Sequence, residues 1–283
     1  MTNAQKTSDP NQTLGGGQFF GAIQRKQECH GAIFTDLRHD SPRRLPLHSH
    51  ELPFFALLLG GSYGERYGRQ QKQFGPFTLT FRPAGIPHQD EIGPHGVRFF
   101  EIELRPAWQK RLADCSCALD LPRDDELGGE LLWLAMNVFH EVHASPGPDD
   151  LRVDSLLHEL AAHAARLPKE NAHEAPLWLS RVRDKLNAEH CRRLTLDELS
   201  AEAGVHPVHL SRVFRRFVGE GISAHVHRLR VRTACEKMTL PKMTLADVSV
   251  ATGFADQSHF GRAFRKITGT TPNVFRASLG LVA

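Results

Sequence analysis

Residues 253–272 read GFADQSHFGRAFRKITGTTP. After a glycine and an aromatic, Phe260, Phe264 and Ile267 recur every three or four positions, with Arg262, Arg265 and Lys266 between them. The spacing predicts a helix with one apolar stripe and a cationic face opposite it. Such a helix is either an ordinary amphipathic element or one built to meet something negatively charged.

An internal repeat separates the two. The stretch 194–219, LTLDELSAEAGVHPVHLSRVFRRFVG, matches 243–269, MTLADVSVATGFADQSHFGRAFRKITG. Thr195, Leu196, Leu199 and Gly204 correspond to Thr244, Leu245, Val248 and Gly253 at an offset of 49. Leu210, Arg212, Phe214, Arg215 and Gly219 correspond to Phe260, Arg262, Phe264, Arg265 and Gly269 at an offset of 50, so the second copy has one extra residue in its turn. In each copy the threonine can cap a short helix with an acidic residue close behind it. The first glycine suits a sharp turn with positive φ, and the second suits a helix C-cap. Helix, tight turn, helix is the helix-turn-helix pattern, whose second helix enters the DNA major groove. One match would be weak; two in tandem are far more telling. Between them AHVHRLRVRTACEKM (224–238) predicts a connecting helix. About 18 residues would rise about 27 Å, the order of the roughly 34 Å between recognition helices reading successive turns of one DNA face.

The segments LSRVFRR (210–216), RVRTA (230–234) and GFADQSHFGRAFRKITGTTPNVFR (253–276) resemble the DNA-binding module of the AraC/XylS family of bacterial transcription regulators. The resemblance covers roughly 177–278, with serine at 200 and 249 where the family usually has alanine. With helical phase, it implies that Val208, His209, Ser211 and Arg212 face bases in the first copy, and Gln257, Ser258, His259 and Arg262 in the second. Arginine can donate to guanine O6 and N7 together, which makes Arg212 and Arg262 the leading candidates. Arg215, Arg216, Arg265 and Lys266 lie further along and suit phosphates, which fix register without reading sequence. The resemblance gives Arg230 a structural role, tying the connecting helix to its neighbours.

Charge agrees with this division. From Ala175 onward the chain carries 17 Lys/Arg against 9 Asp/Glu, a balance of +8; the preceding residues, with 18 against 23, are at −5. A basic half of this kind points to nucleic acid or another anionic surface. No apolar run reaches the roughly 18 residues of a membrane span, and the polar N-terminus has no signal-peptide core, so a cytoplasmic protein is expected. Cysteines 29, 115, 117, 191 and 235 are irregularly spaced and read as free thiols in a reducing compartment.

The expected fold class is α+β multidomain: a cupin-like β-barrel with following helices, then an all-α tandem helix-turn-helix. Residues 1–17 read as a disordered lead and 18–110 as the barrel, from short segments such as FFALLLGG (54–61) and VRFFEIELRP (97–106). Residues 111–170 read as a helical linker or dimerisation region, with helices over 124–143 and 151–167, and 171–283 as the DNA-binding domain. The polar stretch 168–176 is the expected connector.

HSHE (48–51) and PAGIPH (83–88) resemble the two cupin motifs. On a strand His48 and His50 share a face, and the turn at Pro83 and Gly85 would bring His88 beside them. Three neutral imidazoles could bind a divalent metal such as zinc, or line an effector pocket. The glutamate that cupin enzymes place four or five residues after the second histidine is missing: Phe54 and Phe55 stand there, and Glu51 faces away. His95, Glu101 and Glu103 are further lining candidates.

The resulting expectation is a non-enzymatic, sequence-specific transcription regulator, responsive to a small-molecule effector. Its partners would be promoter DNA, a second copy of the chain and, for an activator, RNA polymerase, with no membrane. A metal-dependent cupin enzyme fused to a DNA-binding module is the alternative, and a nonspecific architectural DNA binder is a third reading.

Overall fold

The computed structural model describes residues 12–114, 119, 122–125, 129–144, 149–166, 175–240 and 242–278. The chain divides into two compact units, residues 1–126 with 134–166, and residues 127–133 with 167–283. Most of the expected connector, residues 168–174, lies outside the described residues.

The first unit is a curled, mostly antiparallel ten-stranded sheet. Two long strands, β6 (Phe54–Tyr67) and β9 (His88–Leu104), form its spine. They pair from Phe54↔Glu103 to Tyr67↔His88, with irregularities between Leu58 and Gly60 and between Gly61 and Tyr63. β9 also pairs with β3 (Ala32–His39), β4 (Arg43–Arg44) and β5 (His48–His50). β2 (Ala22–Cys29) pairs with β3, whereas β7 (Gln70–Phe74) and β8 (Leu79–Arg82) pair with β6. The apolar run of β6 is buried on both faces, which explains why it lacks a polar alternation. Phe54, Ala56 and Leu58 join Leu37, Tyr63, Ile92 and Phe99 in one core cluster.

Two short strands depart from expectation. Gln12–Leu14 is not part of a disordered lead: it forms β1, parallel to β5, while residues 1–11 lie outside the described residues. Arg123–Asp125 does not open a helix but forms β10 against β8. Asp124 is held there by the Arg82 guanidinium at 2.7 Å, a stronger constraint than a preference for a helix start. The helices of this unit are α1 (Pro106–Asp114), α3 (Asp150–Arg166) and, from residue 134 on, α2 (Glu130–Val142). Phe139 of α2 meets Phe100 of β9 edge-on at 5.2 Å, and His143 bonds Asp36 at 2.7 Å. In α3, Val153, Leu157 and Leu160 are buried and Leu151 is exposed.

The second unit is all-helical: α4 (Leu177–Glu189), α5 (Leu196–Ala203), α6 (Pro207–Val218), α7 (Ile222–Met238), α8 (Leu245–Ala251), α9 (Gln257–Thr268) and α10 (Pro272–Ser278). The repeat seen in the sequence is repeated in the capping. Thr195 with Glu198 and Thr244 with Asp247 both form capping boxes, each contributing about 0.5–2 kcal/mol. Gly204 and Gly253 sit at φ of 68° and 77°. A Cβ at Gly253 would overlap the carbonyl oxygen of Cys191, so this turn needs glycine on two counts. The turn of the second copy, 252–256 against 204–206, is two residues longer, one from the extra residue and one because α8 is a residue shorter than α5, and both second helices span 12 residues. Ser200, where the family prefers alanine, satisfies its hydroxyl on the Leu196 carbonyl at 2.7 Å. No helix of the described residues is long and apolar enough to cross a membrane. Among the described cysteines, Cys29, Cys191 and Cys235 are free; Cys115 and Cys117 lie outside the described residues.

Candidate nucleic-acid interface and barrel site

The second helices of the two pairs, α6 and α9, are anchored from inside and cationic outside. Leu210, Val213 and Phe214 on α6, and Phe260 and Phe264 on α9, are buried. On the opposite side Val208, His209 and Arg212 are exposed and Ser211 is half-buried; Gln257, Ser258 and Arg262 are exposed and His259 is half-buried. Arg215, Arg216, Arg265 and Lys266 are all exposed in the last turns. Cations there also favour the negative end of the helix dipole, so they have a structural use before any DNA arrives.

N-caps start both helices, but with different residues. Asp256 accepts from the His259 amide at 2.6 Å, and His206 from the Val208 amide at 3.3 Å. The capping amide holds the Asp256 carboxyl below its usual pKa, with smaller help from Arg262 and His259. α7 is fixed between the two pairs by Arg230. Its guanidinium donates to the carbonyls of His190, Arg192 and Gly253 at 2.7, 2.9 and 2.6 Å. Arg230 is therefore a structural tie.

In the first unit His48, His50 and His88 do converge. Their ring centroids stand 4.3 to 5.4 Å apart, and one donor atom from each lies within 4.8 Å of the others. All three are buried, and burial, reinforced at His48 and His50 by neighbouring imidazoles, holds them below the usual histidine pKa. They are thus held neutral near pH 7, the form in which an imidazole can bind a metal. His48 and His88 turn Nδ1 toward the carbonyls of Pro46 and Ile86 at 2.9 and 3.0 Å, leaving Nε2 for the cavity. Phe19 lies 4.9 Å from His50 and Phe20 lies 5.0 Å from His48, ring to ring.

The structure also brings in carboxylates. Glu65, His88 and Asp90 form a second group of close donors, made by the register Glu65↔Asp90 between β6 and β9. Arg82 engages both oxygens of Glu65, one at 2.7 Å, and so neutralises it. Asp90 remains. Its Oδ2 is 3.9 Å from His48 Nε2 and 4.0 Å from His88 Nε2, while Oδ1 is buried with no hydrogen-bond partner among the described residues. Burial, then the Glu65 charge, raises its pKa. Two donors each about 2.0–2.2 Å from one tetrahedral zinc ion lie about 3.3–3.6 Å apart, so Asp90 would close on the two imidazoles by a few tenths of an ångström to share a divalent ion with them. The buried, unpartnered Nδ1 of His50 and Oε2 of Glu101 border the same space.

The space itself is small, a cavity of about 40 Å³. A water needs about 10–15 Å³ of such volume, so the cavity admits an ion with a water or two, whereas organic ligands occupy pockets of about 300 Å³ or more.

A family profile described as "Helix-turn-helix domain" matches residues 199–278. The chain is similar to the probable transcription factor PqrA of Proteus vulgaris, at 30% identity over 83 residues, covering 29% of this chain and 68% of that protein. The chain belongs to the AraC/XylS family. Its likeness to the transcriptional activator AarP of Providencia stuartii is 29% over 86 residues, 30% of this chain and 64% of the relative. To the putative AraC-like transcription regulator of Streptomyces lividans it is 24% over 165 residues, 55% of this chain and 54% of that protein. The chain thus spans about half to two thirds of the length of these two. Among solved structures, an AraC-type transcriptional regulator from Chromobacterium violaceum is 25% identical, with a TM-score of 0.35 over 38% of this chain and 95% of that one.

Within this AraC/XylS chain, the sequence named the three histidines but missed Asp90, Glu65 and Arg82. Asp90 had a local signal, since two residues beyond His88 on a strand is the same face. Glu65 had none; only its register with β9 makes it a neighbour. Of the other lining candidates, Glu101 borders the cavity. Glu103 instead accepts from the Gly17 amide at 2.7 Å, and His95 is exposed, beside Gly96 at positive φ.

Proposed function

We propose that the chain is a sequence-specific transcription regulator that reads double-stranded promoter DNA with α6 and α9 and responds to an effector through its barrel site. The observation that carries the DNA reading is the pair of capped helices, one anchored by buried Leu210, Val213 and Phe214 and the other by Phe260 and Phe264, each leaving a histidine and an arginine outward at matching places. Val208, His209, Ser211 and Arg212, with Gln257, Ser258, His259 and Arg262, are assigned to bases; Arg215, Arg216, Arg265 and Lys266 to phosphates. A cytoplasmic homodimer acting on RNA polymerase, when it activates, completes the reading. The names of the relatives support this role.

For the barrel site, cavity size and donor set favour a divalent metal ion, zinc among them, held by His48, His50, His88 and Asp90. When bound, such an ion would supply a Lewis-acidic centre that cross-links β5 to β9. Asp90 also answers the missing cupin glutamate, which keeps the alternative of a metal-dependent cupin enzyme alive. Competition binding to promoter and random DNA, before and after chelation and zinc repletion, tests both halves. A preference for promoter DNA that changes with zinc is expected. Equal affinity for random DNA would favour a nonspecific architectural binder. An absence of stoichiometric zinc by elemental analysis, after dialysis against the metal, would remove the metal assignment.

A further inference from the structure

α7 reads as a spacer, yet one of its faces is not used as a spacer. Ser223, Val226, His227 and Arg230 follow each other at helical spacing and line one wall of an open cleft of about 890 Å³. The opposite wall is Val208, Ser211, Arg212 and Arg215 of α6, which includes three of the residues assigned to bases. Among the described residues no acidic side chain lines this cleft, whereas four arginines do: Arg193, Arg212, Arg215 and Arg230.

His227 connects that cleft to the second recognition helix. Its ring lies 5.7 Å from His259, edge to face, and 6.1 Å from Phe254, stacked. One half-buried imidazole therefore adjoins the outward faces of both α6 and α9. It makes no hydrogen bond to any described residue. Arg230, one turn on, is not available to a ligand, because its guanidinium is already committed to three carbonyls.

A duplex followed by two recognition helices through successive major grooves must lay the intervening stretch of backbone against whatever joins them. Here that is the cationic cleft wall, with His227 as its free polar ring and Ser223 exposed beside it. We infer that His227 is a third DNA-contacting point, holding a backbone phosphate between the two groove segments that α6 and α9 read. The inference rests on the DNA reading above and adds a contact that neither recognition helix supplies.

The chemistry makes the contact conditional. Burial, then the positive surroundings of His259, Arg230 and Lys266, lowers the His227 pKa in the free protein. Arg212, Arg215 and Arg193 line the same cleft. A phosphate within hydrogen-bond reach acts in the opposite direction, so the ring takes up a proton as DNA binds. By linkage, affinity then rises as pH falls through the pKa of the bound state, and flattens above it.

The test is titration of a promoter fragment and a random duplex of equal length against the full chain, at several salt concentrations, at about pH 6 and about pH 8. His227→Ala should weaken both duplexes alike, lower the salt slope by about 1, and remove part of the pH dependence. His227→Lys should restore affinity while leaving that pH dependence missing. Thermal unfolding of each variant shows whether the fold is retained. Wild-type affinity and salt slope in His227→Ala at about pH 6 would overturn the inference, as would a changed base preference. Arg212→Ala and Arg262→Ala separate the two levels. Unchanged discrimination in both sinks the DNA reading itself, whereas altered discrimination with a silent His227→Ala sinks only the third contact.

Discussion

The Arg230 guanidinium donates at 2.6 Å to the carbonyl of Gly253, the residue that turns the second helix pair. The same side chain reaches His190 and Arg192 at the end of α4, so one planar fork locks three segments together. Lysine has neither the fork nor the reach to serve all three. Arg230→Lys is expected to cost about 2–4 kcal/mol, read as a lower urea midpoint of the helical unit. DNA affinity in the folded fraction should be nearly unchanged, which distinguishes this arginine from those of α6 and α9.

The two turn glycines should respond differently to the same change. Gly204→Ala meets no neighbour and carries only the strain of positive φ, about 1–2 kcal/mol. Gly253→Ala adds an overlap with the Cys191 carbonyl, and about 3 kcal/mol or more is expected. Chemical denaturation of both variants checks the order, and equal losses would contradict it.

Arg262 and Arg265 occupy one helix but should fail in different ways. Arg262→Ala should lose discrimination at one base position, by about 1–3 kcal/mol, whereas Arg265→Ala should weaken all sequences alike and flatten the salt slope by about 1. Binding to a panel of single-base operator variants, repeated over a salt series, separates the two.

Glu103 makes stability depend on pH. Burial pushes its carboxyl up to about 7, against opposing help from the Gly17 amide. The folded chain therefore holds a proton that the unfolded chain has lost between the ordinary glutamate pKa and about 7. Its contribution is intact below the unfolded value and fades as pH rises through about 7. Glu103→Gln keeps the acceptor without the charge. It should raise Tm above neutral pH, by the equivalent of about 2–3 kcal/mol, and change little near pH 5.

The helical unit was legible from sequence because its determinants are local. Thr195, Gly204, Gly219 and their counterparts act within a few residues of where they stand, and the period of Leu210, Phe214, Phe260 and Phe264 fixes the buried side. The barrel was legible only as far as short-range rules reach. HSHE reveals two histidines on one face, but β1 and β10 are three-residue strands paired with segments far along the chain. No local pattern announces such a pairing. Glu65 and Arg82 likewise enter the site through register, and their mutual neutralisation depends on both arriving.

The two copies of the helix pair have drifted apart in ways the caps conceal. His209 and Arg212 recur as His259 and Arg262, but Val208 stands against Ser258 and Ser211 against Gly261, and the turns differ in length. One copy of the chain thus has a head and a tail. Reversing its operator between fixed flanks would present each half-word to the wrong reader, so the orientation of a promoter element carries information even for a lone protomer.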